Sequence, residues 1–292
     1  MSETPNFINS DTKIETYLSK RKKMINRNLN SMLPKVHNHA LKKLDEAMRY
    51  GLFAGGKRIR PILSIAIYEY SGGKVKDVII PACCVEFFHT SSLMIDDLPF
   101  MDNASFRRGK LATHKKFGSQ ITMLAAVSLA AKGFEILAKE LSKSNISAPF
   151  TGMLIEMSAK MIGLEGASGG QFFDLNSKPV SESDILQIYK KTSSLFYLSG
   201  LISAEIGRLS EDEKHFVMEY VRNVGLLFQL VDDLLDVDLD RKYNFARLFG
   251  EERIKVKIHD ERIQALRNLE QLDGDTSYLK SIVNYIVSRC KQ

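Results

Sequence analysis

Cysteine, proline-rich linkers and long apolar runs are all scarce in this 292-residue chain, and each scarcity removes a class of protein. Three cysteines, with Cys83 and Cys84 adjacent and Cys290 far away, form neither a disulfide framework nor a metal-ligand spacing, which points to a reducing compartment. No Pro- or Ser-rich stretch divides the chain, so a single domain over residues 1–292 is expected, with residues 1–10 a flexible tail. The most apolar stretch, Ile121 to Ala131, is broken by Lys132 well short of a membrane span, and the N-terminal segment lacks the apolar core of a signal peptide. The expectation is a soluble, cytoplasmic protein without a membrane span. Lys and Arg exceed Asp and Glu by 41 to 35, a net charge of +6, but no basic block carries interleaved aromatics. That pattern argues against a nucleic-acid partner and suits a small anionic substrate.

Strict apolar–polar alternation is also missing, and the hydrophobic period is helical nearly everywhere, so the chain reads as all-α. Helices are predicted at roughly 12–30, 36–53, 59–71, 77–97, 119–141, 148–165, 182–209, 212–236, 247–271 and 276–290. Their breaks carry the expected punctuation: Ser71-Gly72-Gly73, Pro81 in a first turn, Gly169-Gly170, Pro179 before a Ser181 cap, and Asp273-Gly274-Asp275.

Two acidic clusters stand out against this background. Asp96, Asp97 and Asp102 lie in DDLPFMD, and Asp232, Asp233 and Asp236 lie in DDLLD, each at the end of a strongly apolar helical stretch. Carboxylates gathered beside buried surface are costly unless neutralised, and oxygen ligands without cysteine or paired histidine favour magnesium or calcium over zinc. Asp232 and Asp236, four apart, fall about 40° from each other on one helix face. Asp96 and Asp102 would be about 120° apart on an unbroken helix, so Pro99 is expected to bend the chain and return Asp102 towards Asp96. A single such cluster is commonly a solvated helix end; two, each after an apolar run and each at the unfavourable dipole end, are harder to explain without cations.

Phosphate-binding residue types surround the acids. Gly55-Gly56-Lys57-Arg58-Ile59-Arg60-Pro61 joins a glycine pair to Lys57 and Arg60, and Arg107-Arg108-Gly109-Lys110 follows the first cluster. Either motif alone is also what a surface basic patch looks like. His89, two turns before Asp96, shares its helix face, although a lone histidine there is more often a satisfied core residue. Lys191, Thr192 and Gln229 say little until something places them near the acids.

Taken together, GGKRIRP, HTSSLMIDDLPFMDNASFRRGK, GGQFFDL, KKTSSLF and FQLVDDLLD occur in the order found in the trans-isoprenyl diphosphate synthases, and the chain resembles that family over roughly residues 50–250. The resemblance implies an antiparallel helical bundle around a deep central cavity, usually a homodimer. The activity implied is magnesium-dependent condensation of isopentenyl diphosphate with an allylic diphosphate (dimethylallyl, geranyl or farnesyl), giving geranylgeranyl or farnesyl diphosphate. It further implies Asp96, Asp102 and Asp232 as magnesium-bridging ligands, with Asp97, Asp233 and Asp236 completing the metal motifs. Lys57, Arg60, His89 and Arg108 match positions that hold isopentenyl diphosphate, and Arg107, Lys191, Thr192 and Gln229 match positions that hold or stabilise the allylic partner.

Three departures accompany the resemblance. Asn103 is followed by Ala104 and Ser105 where further acids are usual. The segment after Asp236 is short and lacks a glycine-lysine loop, leaving Lys242 as the nearest candidate for its lysine. The final SRCKQ lacks the basic tail of some farnesyl synthases. Product length should follow from the small Ser91 and Ser92 before Asp96, where an aromatic residue would stop a fifteen-carbon chain. A geranylgeranyl product is expected, with Phe88 or Phe87 as a deeper floor. The competing readings are a class I terpene cyclase, which has no use for Lys57, Arg60 and Arg108, and a catalytically weak regulatory subunit, which has no need of complete aspartate motifs.

Overall fold

A computed structural model describes residues 12–33, 36, 38–143, 148–179, 181–237 and 243–291. The helices in chain order are α1 (Thr12–Met32), α2 (Lys42–Leu52), α3 (Ile59–Tyr70), α4 (Val75–Asp96), α5 (Thr113–Phe117), α6 (Ser119–Lys143) and α7 (Ala148–Ile162). They continue as α8 (Ala167–Asn176), α9 (Glu182–Ile206), α10 (Glu211–Leu235), α11 (Phe245–Phe249), α12 (Glu251–Glu270) and α13 (Ser277–Ser288). The fold is all-α. Among the described residues the only strands are Phe106–Arg107 (β1) and Lys110–Leu111 (β2), a two-residue antiparallel ladder closed by Gly109 at φ 76°.

The central helix is α4. It is apolar around its whole circumference, with Val78, Ala82, Cys83, Cys84, Val85, Phe87 and Met94 buried, and it packs against α3, α6 and α9. Helix α10 lies between α9 and α12, and α13 closes over α10, where the Tyr220 hydroxyl donates to the Leu279 carbonyl at 2.9 Å. Both long site helices start at capping boxes: Ser181 with Asp184 opens α9, and Ser210 with Glu213 opens α10. By length and composition α4 and α6 are each apolar enough to cross a membrane. α4 is instead wrapped by its neighbours, while α6 packs on α4 and leaves Leu124 and Val127 exposed.

The predicted elements differ from the observed ones in five places. Gly169 and Gly170 lie inside α8 rather than in a break, because an added Cβ at Gly170 would come within 2.1 Å of the Lys191 nitrogen, so the glycine permits close helix approach. Pro81 sits in the second turn, since α4 begins at Val75. Gly118 (φ 86°) separates α5 from α6, and Gly250 (φ 91°) splits the predicted 247–271 helix into α11 and α12. The 36–53 segment is a 3-10 turn, His39–Leu41, leading into α2.

Candidate active site

Helix α4 ends at Asp96, and the following loop folds back on itself. Met101 and Asn103 amides donate to the Leu98 carbonyl at 2.9 and 3.0 Å, and the Asp102 amide donates to the Asp96 carbonyl at 2.8 Å. Asn103 completes the reversal in the left-handed region at φ 47°, a conformation asparagine tolerates. Asp102 therefore stands beside Asp96. Between them reaches Lys191 of α9, its Nζ 3.4 Å from Asp96, 3.8 Å from Asp102 and 3.1 Å from Asp174 of α8. Burial pushes the Asp96 carboxyl up to about 6, against the pull of Lys191 and with a further push from Asp102. Burial works to lower the Lys191 ammonium, but the three carboxylates outweigh it and raise it.

Asp97 does not join this group. As the C-cap of α4 its side chain is 3% exposed and is paired with Arg107, whose guanidinium is one-third exposed on β1. In this structure the carboxylate of Asp97, expected among the metal ligands, holds the hairpin to the helix end.

The second cluster lies on regular helix, and Asp232 and Asp236 share a face, with the Asp236 amide bonded to the Asp232 carbonyl at 2.9 Å. Asp233 points the other way and is 1% exposed. Its carboxylate accepts from the Tyr189 hydroxyl (2.6 Å), Gln229 Nε2 (2.9 Å) and the Phe245 amide (2.8 Å). In this structure Asp233, also expected among the metal ligands, is engaged by donors that tie α10 to α9 and α11. Gln229, expected beside the allylic substrate, spends its amide N–H on Asp233. Asp232 Oδ1 is met at 2.5 Å by Arg289 Nη2, from the 3-10 turn Arg289–Lys291 after α13.

A third group gathers cations. Gly55 and Gly56 both have φ 112°, and a Cβ at Gly56 would lie 2.6 Å from Arg108 Nη1, so the glycine pair opens the space that Arg108 fills. Arg108 donates to the Gly55 carbonyl at 2.8 Å, and Arg108 Nη2 and Arg60 Nη1 both stand 3.2 Å from His89 Nε2. Two guanidiniums can only donate, so His89 accepts at Nε2 and is neutral. Burial, then Arg60 and Arg108, hold its imidazole well below the usual range. Arg60 is 5% exposed, stacks on Phe196 with 4.4 Å to the ring centroid, and donates to the Thr192 carbonyl at 3.3 Å. Lys57 is exposed on the same loop, its ammonium lowered by burial and by Arg289, with Asp232 pulling upward. Arg58 has a different part, its guanidinium buried against Glu86 at 2.6 Å.

Thr192 and Lys191 thus link the regions: Lys191 meets the first cluster, and the next carbonyl holds Arg60, which feels the charge of Asp232. Asp174 and Arg289 were not singled out by sequence. GGQFFDL contained the first, and only the fold brings the second to α10. Among the described residues no three acidic, histidine or cysteine side chains stand close enough to hold one ion in this conformation. The acids of the first cluster are spread around an ammonium instead.

Ser91 is buried, Ser92 is half-buried with its hydroxyl bonded to the His89 carbonyl at 2.9 Å, and Phe87 is fully buried. Phe88 faces α6, where its ring lies 4.8 Å from that of Phe134 and against Gly133, at which a Cβ would come within 2.5 Å. Lys242 and residues 1–10 lie outside the described residues.

Residues 41–259 match the family described as Polyprenyl synthetase. Among curated proteins of Arabidopsis thaliana, the heterodimeric geranylgeranyl pyrophosphate synthase large subunit 1 is 37% identical over 86% of this chain and 68% of its own length. Geranylgeranyl pyrophosphate synthase 4 is 35% identical over 94% of this chain and 77% of its own. Among solved structures, an FPP/GFPP synthase from Zymomonas mobilis superposes with a TM-score of 0.87 at 31% identity, covering 94% of this chain and 99% of that one. A geranyltransferase from Legionella pneumophila gives 0.85 at 28% identity, covering 97% and 99%.

Proposed function

For a chain that belongs to the polyprenyl synthetase family, as a short-chain prenyltransferase, we propose condensation of isopentenyl diphosphate with an allylic diphosphate to give geranylgeranyl diphosphate, with magnesium as cofactor. The observation that carries this reading is the pairing of two acidic groups, around Lys191 and Arg289, with a separate cationic group of Arg60, His89 and Arg108. A cyclase acting on one diphosphate has no use for that second cationic group.

The donor set fits magnesium. Asp96, Asp102, Asp232 and Asp236 offer hard carboxylate oxygens, and Lys191 among three carboxylates stands where positive charge is already required. When bound, magnesium supplies charge that stabilises the departing diphosphate. The chain's residues do the rest. Lys191 and the exposed side of Arg107 neutralise the allylic diphosphate, whose oxygen takes the electron pair as its bond to the allylic carbon breaks. Arg60 and Arg108, held in register by a neutral His89, fix the isopentenyl diphosphate so that its double bond attacks the cation. A proton lost to the released diphosphate restores the alkene.

The small Ser91 and Ser92 leave the tail room to pass Asp96, and Phe88 against Gly133 and Phe134 forms the floor. The exposed apolar side chains Leu124 and Val127 on α6 support a homodimer, since such a face is stabilised by a second copy. The absence of a cysteine framework supports a cytoplasmic location.

Purified protein incubated with magnesium, isopentenyl diphosphate and each allylic starter in turn should yield a twenty-carbon diphosphate by mass spectrometry; no elongation from any starter sinks the proposal. Ser91→Tyr should shift the product to fifteen carbons, and an unchanged distribution would refute the assignment of the floor.

A further inference from the structure

Arg289 is absent from every motif that places the chain in its family, yet it reaches the second aspartate cluster directly. Its Nη2 lies 2.5 Å from Asp232 Oδ1, its guanidinium carbon is 5.0 Å above the Phe228 ring, and among the described residues its Nη1 is buried without a partner. The backbone beneath it is well anchored. α13 buries Leu279, Ile282, Val283, Ile286 and Val287, and Tyr17 of α1 stacks on Tyr278 with centroids 4.0 Å apart. The turn Arg289–Lys291 follows directly, lying against α10 with Cys290 partly buried on the core.

We propose that Arg289 is a resident counter-ion for Asp232, which a divalent cation displaces, so that the turn after α13 is released when the second aspartate cluster takes its metal. The inference rests on the magnesium reading above and adds a positioning residue to it. The physical argument is competition for one oxygen. A guanidinium hydrogen-bonded to Oδ1 occupies the lone pair a cation must use, and a second positive charge that close repels the ion. Lys191 plays the corresponding part at Asp96 and Asp102 from inside a long helix, where only its side chain can withdraw. Arg289 sits on a short turn, so its departure also moves backbone. Phe228 gives the released guanidinium a place to stay, and Lys57, already sensitive to the charge of Arg289, lies on the same side.

The test uses Mn2+ alone, without substrate, and reads metal affinity by electron paramagnetic resonance of free Mn2+. Arg289→Gln should bind Mn2+ about fivefold more tightly than wild type, the scale of a partly exposed ion pair. Cys290, the half-buried neighbour of Arg289, supplies a readout in the unaltered chain, because Cys83 and Cys84 are buried. Mn2+ should accelerate its alkylation by N-ethylmaleimide in wild type, located by peptide mass. In Arg289→Gln the rate should be high already and indifferent to metal. Unchanged or weaker Mn2+ binding by Arg289→Gln, or a Cys290 rate insensitive to Mn2+ in wild type, overturns the proposal while leaving the magnesium reading intact. No Mn2+ binding by wild type overturns both. If Arg289→Gln fails to fold, the wild-type thiol measurement still decides.

Discussion

The two aspartate clusters look alike in sequence, yet they are neutralised from different depths of the molecule. Around Asp96 and Asp102 the compensating charge is Lys191, in the interior of α9 and shared with Asp174. At Asp232 it is Arg289, on a turn beyond the last long helix. In each DD pair the second acid does structural work: Asp97 clamps the β1–β2 hairpin through Arg107, and Asp233 ties three helices together. The lesson is that a doubled aspartate divides into one residue facing the reaction and one holding its support in place. How easily the first is laid bare depends on where its counter-ion is rooted.

That division gives predictions of decreasing size. Replacing a facing acid, as in Asp96→Asn or Asp232→Asn, should lower kcat/KM on the order of 10²–10³-fold, as for loss of one group aimed at transition-state charge. Urea unfolding of Asp96→Asn should show little loss of stability, because burial already disfavours that carboxylate's charge and Lys191 keeps Asp102 and Asp174 as partners. Asp233→Asn should do the reverse, costing about 2–4 kcal/mol in urea unfolding, since the Phe245 amide and two side-chain donors lose a buried carboxylate. An Asp233→Asn protein of wild-type stability would dissolve the distinction. Asp236→Asn, at the half-exposed end of α10, should remain within about 0.5 kcal/mol of wild type.

The smallest effect concerns the cationic group facing both clusters. His89 is held below its ordinary 6.5 by burial and by Arg60 and Arg108, so the unfolded chain binds a proton that the folded one refuses. The stability this contributes is complete above about pH 6.5 and is lost as pH falls below it. Wild type should therefore lose stability more steeply than His89→Gln between about pH 6.5 and pH 5, in unfolding measured at matched ionic strength. Parallel curves would mean that His89 takes a proton in the folded state as readily as in water.

Much of the architecture was legible locally. The helical period, the capping residue Ser181 and the bend after Leu98 all follow from residues within a few positions of one another. Elsewhere a distant contact or a short element decided. Gly169-Gly170 looked like a break because a glycine pair punctuates chains, and only the Lys191 backbone pressed against Gly170 explains a helix there. Short elements such as α5, α8 and the hairpin carry too few residues for a period to show.

By itself the sequence determined that two acidic groups end apolar helices, that Asp232 and Asp236 share a face, and that phosphate-binding cations lie nearby in the chain. These depend on backbone geometry, which repeats every few residues and is set by local sterics. Tertiary structure alone decided that Asp97 and Asp233 turn inward, that Asp174 joins Lys191 from 17 residues away, and that Arg289 meets Asp232 across 57. Helical period says which residues share a face. Only packing says what that face meets, because the partner of a charge is chosen by which distant segment is brought within about 4 Å of it.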